Sequence, residues 1–206
     1  MAQDTIVTDK DDNARHQARQ QKLKQAVDAR VATATEEKGI LLVLTGNGKG
    51  KSTSGFGTVA RAVGHGKNAA VVQFIKGNWE CGERKLLENA GVRFEVMATG
   101  FTWDTQNRAS DTAAAEKAWM VAEQWLQDPA IDVLLLDELT YMLSFHYLDL
   151  QRVLRALTNR PPQQHVIVTG RNCHRQLLEV ADTISEIHNV RHAFEHGIKA
   201  QPGFDY

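Results

Sequence analysis

One ten-residue stretch constrains this chain more than any other: Leu44-Thr45-Gly46-Asn47-Gly48-Lys49-Gly50-Lys51-Ser52-Thr53. It follows an unbroken apolar run, Ile40–Leu44. It precedes a segment whose apolar residues Phe56, Val59, Ala60 and Val63 keep the i, i+3, i+4, i+7 spacing of a helix face. A strand that is apolar at every position is buried on both faces, the habit of a parallel sheet covered by helices. Strand, glycine-rich turn and helix in that order read as a phosphate loop. Glycines let the backbone curl until several N–H groups aim at one polyphosphate, and the helix starting near Ser52 adds the positive end of its dipole. Lys51 neutralises phosphate charge, Lys49 supplies a second cation, and the Ser52 hydroxyl is a ligand for Mg²⁺. The expected nucleotide-binding set is therefore Gly46, Asn47, Gly48, Lys49, Gly50, Lys51, Ser52 and Thr53. One departure stands out. The common pattern G-x-x-x-x-G-K-[ST] has glycine where this chain has Thr45, and the glycines fall at 46, 48 and 50 instead.

The remaining pattern agrees with that start. Further strands are expected at Ala69–Phe74, Val92–Met97, Ile131–Leu136 and His165–Thr169, with Thr183–His188 as a last edge strand. Helices are expected from Asp111 to Gln127 (Trp119, Ala122 and Leu126 inward), over Leu150–Leu157, and over Arg175–Ala181. Strands alternating with helices predict an α/β fold, a mainly parallel sheet with helices on both faces. At 206 residues the chain suits one such domain, placed at 39–206. Before it, residues 1–38 read as a flexible tail and a helical arm. Residues 1–12 are polar and acidic, and from Asn13 to Lys38 a thin stripe of Leu23, Val27 and Val31 marks a helix that Gly39 stops.

Charge and cysteine content remove several function classes. Lys and Arg total 24 against 25 for Asp and Glu, so no general polyanion-binding surface is expected, and nucleic acid is not a predicted partner. Two cysteines, Cys81 and Cys173, make neither a disulfide framework nor a cysteine zinc site. No apolar run is long enough to cross a bilayer, and the N-terminus lacks the shape of a signal peptide, so a cytoplasmic location without membrane contact is expected.

A nucleotide site also needs an acid facing the loop. Val133-Leu134-Leu135-Leu136-Asp137-Glu138 supplies two at the carboxyl end of a strand, where ligands bind in open α/β sheets. Ser52, Glu138 and Asp137 are the expected Mg²⁺ ligands, with Glu138 slightly preferred over Asp137 as the direct one. Arg171, directly after a strand and a glycine, is a candidate phosphate contact. Cys173 and His174 beside it are poor metal ligands, since adjacent residues seldom bind one ion together. A phosphate loop identifies a ligand and not a reaction. From these residues alone a nucleotide-dependent motor, a transferase and a non-catalytic nucleotide-binding module all stay open.

The loop T-G-N-G-K-G-K-S, with V-V-Q-F-I-K-G-x-W, G-E-R, M-A-T-G-F-T-W, D-E-L-T-Y-M and T-G-R-x-C-H-R in that order, resembles the ATP:corrinoid adenosyltransferases of the CobA/BtuR type. The likeness runs from about Asp28 to Asp205-Tyr206, nearly the whole chain. Thr45 is that family's residue too, and Ser52 stands where it usually has threonine. The resemblance implies a RecA-like P-loop domain, generally a homodimer. It implies transfer of the 5′-deoxyadenosyl group of ATP to cob(I)alamin or a related corrinoid with release of triphosphate, in adenosylcobalamin biosynthesis and corrinoid salvage. Mg²⁺ is the implied cofactor and a reduced flavoprotein the implied electron donor. Lys51, Phe101 and Trp103 are the implied catalytic residues. The two aromatics would form an apolar wall under the corrin ring that keeps a lower axial ligand off cobalt and so raises its potential.

Overall fold

The computed structural model describes residues 4–75, 81–97 and 107–206. Phe101 and Trp103, together with Lys76 and Trp79, lie outside the described residues. The chain divides into two compact units, residues 1–37 and 38–206.

The first unit holds one long helix, α1 (Asp4–Thr33). It already runs through the stretch expected to fray, because no proline or glycine interrupts residues 4–33 and a nucleated helix propagates until something stops it. It ends five residues before Lys38. Thr33 turns its hydroxyl back to the Arg30 carbonyl at 2.7 Å, a local bond that competes with continuing the helix.

In the second unit the elements follow as β1 (Leu41–Thr45), α2 (Lys51–Gly64), β2 (Ala69–Gln73), α3 (Gly82–Asn89), β3 (Arg93–Val96) and α4 (Arg108–Trp125). Then come β4 (Val133–Asp137), α5 (Leu139–Ser144), α6 (Leu150–Thr158), β5 (His165–Thr169), α7 (Arg175–Val180) and β6 (Thr183–Glu186). A 3₁₀ turn, Ala193–His196, comes after β6. The six strands form one sheet in the order β3-β2-β4-β5-β1-β6, every pair parallel.

Alternation of side chains divides the core into two layers. On one face Leu41, Val43, Ala70, Val72, Leu134 and Leu136 pack beneath α4 to α7, with Trp119, Ala122 and Leu126 fully buried. On the other face Leu44, Val71, Leu135 and Ile167 pack beneath α2 and α3. Phe56 and Val59 of α2 point inward as its periodicity requires, but Ala60 is exposed and Gly55 takes its place. A Cβ at Gly55 would stand 2.9 Å from a methyl of Leu135, so the missing side chain is what lets α2 lie this close to β4.

Register sets the edge where chemistry can occur. Gln73 pairs with Asp137, Leu136 with Val168, and Leu44 with Thr169. The strands β1, β5, β4 and β2 therefore end side by side, and the residues just past their carboxyl ends share one crevice. Among the described residues no helix is long and apolar enough to cross a membrane.

Candidate active site

The phosphate loop leaves β1 at Thr45 and is shaped by three glycines that do different work. Gly46 (φ 96°) and Gly50 (φ 121°) occupy backbone conformations that disfavour a side chain. Gly48 is required for closeness instead. Its N–H donates to the Ile187 carbonyl at 2.7 Å, and a Cβ there would stand 2.6 Å from the His188 carbonyl oxygen. The segment after β6 thus braces the loop from behind. Gly50 caps α2, and its carbonyl already accepts the Ser54 N–H at 2.8 Å, so the helix dipole begins at the loop's end.

A cavity of about 330 Å³ opens at this edge of the sheet. Gly48, Lys49, Gly50, Lys51, Ser52 and Thr53 form one side of it. Asp137, Glu138 and Arg171 enter from the ends of β4 and β5, and Gln73 and Ile75 from β2. The structure thus brings together nearly all the residues expected from sequence at this site. Gly46 and Asn47 do not line the cavity; Gly46 packs against the Ile187 backbone, and Asn47 is exposed.

Lys51 is only 6% exposed and bends back to donate to the Gly48 carbonyl at 2.8 Å. Burial pulls its pKa below the ordinary lysine value, Glu138 opposes that, Arg171 adds to it, and Asp137 opposes it. A buried ammonium with the exposed Arg171 guanidinium near it suits an anionic ligand at the mouth of the cavity.

The acids are held by a short network. Asp137 is 3% exposed and its carboxylate accepts the Thr169 hydroxyl at 2.7 Å, a Ser52 hydroxyl bond, and the Gln73 amide at 3.4 Å. Burial nevertheless raises its pKa, and Glu138 is raised as well, first by burial and then by the neighbouring Asp137 charge. Thr169 is the hinge of this arrangement, because its oxygen also accepts the Glu138 N–H at 2.9 Å. Glu138 sits in the left-handed region (φ 59°), a conformation disfavoured for a glutamate and one that turns its carboxylate into the cavity. Gly170 (φ 139°) lets the chain pass Thr140, whose hydroxyl holds the Arg171 carbonyl at 2.6 Å.

Cys173 packs against the core, and burial pushes its thiol up to about 11, so it is protonated and weakly nucleophilic at neutral pH. His174 caps α7 through the Gln176 N–H at 3.2 Å. Neither serves the cavity. Among the described residues no cluster of three His, Cys, Asp or Glu side chains is arranged to hold a metal ion.

Several lining residues escaped reading from sequence. Gln73, which lines the cavity, and Thr169, which supports Asp137 without lining it, stood within strand-end segments, but only strand order pairs them with Asp137. His192, Asp205 and Tyr206 also reach the cavity from the C-terminal segment, and no local pattern announces it.

Two family models match the chain. One, described as ATP:corrinoid adenosyltransferase BtuR/CobO/CobP, covers residues 37–206; the other, the N-terminal segment of cob(I)alamin adenosyltransferase, covers residues 3–31. A corrinoid adenosyltransferase of Escherichia coli K12 is 62% identical over 192 residues, 93% of this chain and 98% of that protein. The corrinoid adenosyltransferase CobA of Salmonella typhimurium matches at the same identity and coverage. A corrinoid adenosyltransferase of Pseudomonas aeruginosa is 50% identical, over 93% of this chain and 96% of its own length.

Proposed function

The chain belongs to the ATP:corrinoid adenosyltransferase family and uses ATP to adenosylate corrinoid cobalt, and from that premise we propose how its residues divide the work. The observation that carries the proposal is the cavity where Lys49, Lys51 and the loop amides face Arg171, Asp137 and Glu138. We infer that the triphosphate of ATP lies in this loop, within a RecA-like P-loop domain formed by residues 39–206. Triphosphate is then the leaving group. The C5′–O5′ bond breaks with its electron pair going to triphosphate, and the carbon–cobalt bond forms with the pair supplied by Co(I).

Reduced cobalt is itself the nucleophile, so no serine, cysteine or histidine is needed for attack. The protein has two tasks: holding C5′ in line with cobalt, and stabilising negative charge as it builds on triphosphate. Lys51 exchanges its bond to the Gly48 carbonyl for a phosphate oxygen, and Lys49, Arg171 and the N-terminus of α2 add to the same field.

The site's oxygen donors fit Mg²⁺. A buried carboxylate lies against the Ser52 hydroxyl, a hard-oxygen environment that phosphate oxygens and water would complete. Ser52, Asp137 and Glu138 would hold the ion. When bound it neutralises charge on the leaving triphosphate. Phe101 and Trp103 are proposed as the wall beneath the corrin ring. A homodimer and a reduced flavoprotein donor complete the reading, in adenosylcobalamin synthesis and corrinoid salvage.

The test is anaerobic turnover with ATP, Mg²⁺ and chemically reduced cob(I)alamin, followed by product analysis. One intact triphosphate per adenosylated corrinoid is expected, with Lys51→Ala reducing turnover by roughly 100-fold or more, as loss of a charge-stabilising group does. Release of ADP and phosphate instead, or an unimpaired Lys51→Ala variant, would reject this assignment.

A further inference from the structure

The end of the chain folds back onto the phosphate loop. One carboxylate oxygen of Asp205 lies 2.8 Å from Lys49 Nζ. Its other oxygen accepts the Gln201 N–H at 2.9 Å, while the Asp205 N–H donates to the Gln201 carbonyl at 2.8 Å. A further bond, from the Gly203 N–H to the Tyr206 carbonyl at 2.8 Å, tightens the same turn. The Phe204 ring sits 5.6 Å from the Lys49 ammonium, so the cation is held between a carboxylate and an aromatic face. Lys49 and the Gln201 N–H both hold the Asp205 carboxyl below its usual range, which keeps it charged at neutral pH.

Lys49 stands between Gly48 and Gly50, two residues before Lys51, and lines the cavity together with Asp205 and Tyr206. A lysine on a free four-carbon stem samples many rotamers, and a ligand that recruits it must freeze them. Here most of that ordering is complete before any ligand arrives. An ammonium has three donors, so pairing with Asp205 leaves others for a phosphate oxygen. Both oxygens of Asp205 are themselves engaged.

We propose that Asp205 is a positioning residue of the transferase: it holds Lys49 in the orientation in which the ammonium meets the triphosphate of ATP, so that the Gln201–Tyr206 segment forms one wall of the nucleotide site. The proposal rests on the loop being the triphosphate site. It assigns a task to a segment far from the loop in sequence. It also places the effect on nucleotide binding, with corrinoid binding untouched.

Calorimetric titration of inorganic triphosphate and of ATP, each with Mg²⁺, into the full chain tests it, alongside steady-state kinetics with pre-reduced cob(I)alamin. The proteins needed are the wild type, Asp205→Asn, Asp205→Glu, Lys49→Met and the double variant Lys49→Met with Asp205→Asn. Asp205→Asn is expected to weaken triphosphate binding about three- to fivefold, the scale of a partly exposed ion pair. kcat/KM for ATP should fall by at least the same factor with the corrinoid KM unchanged, and Asp205→Glu should recover most of the loss. In the Lys49→Met background, Asp205→Asn should add nothing. Unchanged binding overturns the proposal, and so does tighter binding, which would make Asp205 a competitor of phosphate. An equal loss in the Lys49→Met background overturns it too, since the tail would then act without Lys49. Failure of the wild type to bind either ligand would instead remove the triphosphate site itself, and the proposal with it.

Discussion

Replacing Asp137 with asparagine should stabilise the ligand-free protein while disabling it. The carboxylate is 3% exposed, and its hydrogen-bond partners Thr169, Ser52 and Gln73 are all neutral. Lys51 donates to the Gly48 carbonyl, and its charge feels Glu138 more than Asp137. Burying a charge without a direct counter-ion costs several kcal/mol even after relaxation, and hydrogen bonds from Thr169, Ser52 and Gln73 return only part of it. An asparagine of the same shape keeps the Thr169 bond. If the Gln73 amide, whose Nε2 faces the carboxylate, turns over, the new N–H also meets Gln73 Oε1, a buried acceptor without a partner among the described residues. The balance is a gain of roughly 1–2 kcal/mol, or about 2–8 °C in melting temperature for a chain of this size. The pH dependence has a definite sign. Burial raises the Asp137 pKa, so the folded state binds the proton more tightly than the unfolded state. Wild-type stability should therefore fall as pH rises from the ordinary carboxylate value, about 3.9, through the raised value, and level off above it. The asparagine variant should lack that part of the slope. Urea unfolding monitored by circular dichroism between pH 4 and 8, with EDTA and no nucleotide, measures both. A variant less stable than wild type across the whole range would refute the reasoning, because Asp137 would then be a net structural asset and not a strained functional group.

Three further outcomes are expected. Gly48→Ala should cost at least about tenfold in ATP affinity, because its Cβ would press on the His188 carbonyl, which is backbone and cannot rotate away; unchanged calorimetric affinity would contradict this. Cys173→Ala should keep transfer activity, and iodoacetamide at pH 7.5 should modify Cys173 slowly, since its thiol is pushed up to about 11; rapid labelling detected by mass spectrometry would contradict the burial argument. Phe101→Ala and Trp103→Ala should slow adenosylation that starts from Co(II) far more than adenosylation of pre-formed Co(I), and equal losses in the two assays would remove their assigned role.

Features were legible in the sequence where the information for them is local. The apolar runs at Ile40–Leu44 and Val133–Leu136 announce buried parallel strands by themselves, and the glycines and Lys51-Ser52 announce the loop between β1 and α2. Among the described helices of eight residues or fewer, Arg175–Val180 was legible and two were not. Leu139–Ser144 spans six residues and Gly82–Asn89 eight, too few for a periodic pattern to stand out. Ala60 shows the limit of a periodic template: α2 turns Gly55 and not Ala60 to the sheet, because close approach to Leu135 favours the residue with no side chain. The site shows the same division. Asp137 reads as an acid after a strand, but its dependence on Thr169 exists only because β5 lies beside β4. Asp205 pairs with Lys49 across most of the chain's length, and no local spacing encodes that.

The most direct test of the central claim is a crystal structure of the protein with ATP, Mg²⁺ and a Co(II) corrinoid. Triphosphate oxygens are expected at hydrogen-bond distance, about 3 Å, from the loop amides and Lys51 Nζ, with C5′ facing the cobalt. Triphosphate bound elsewhere, or a C5′ turned away from the corrin ring with the loop unengaged, would contradict the account.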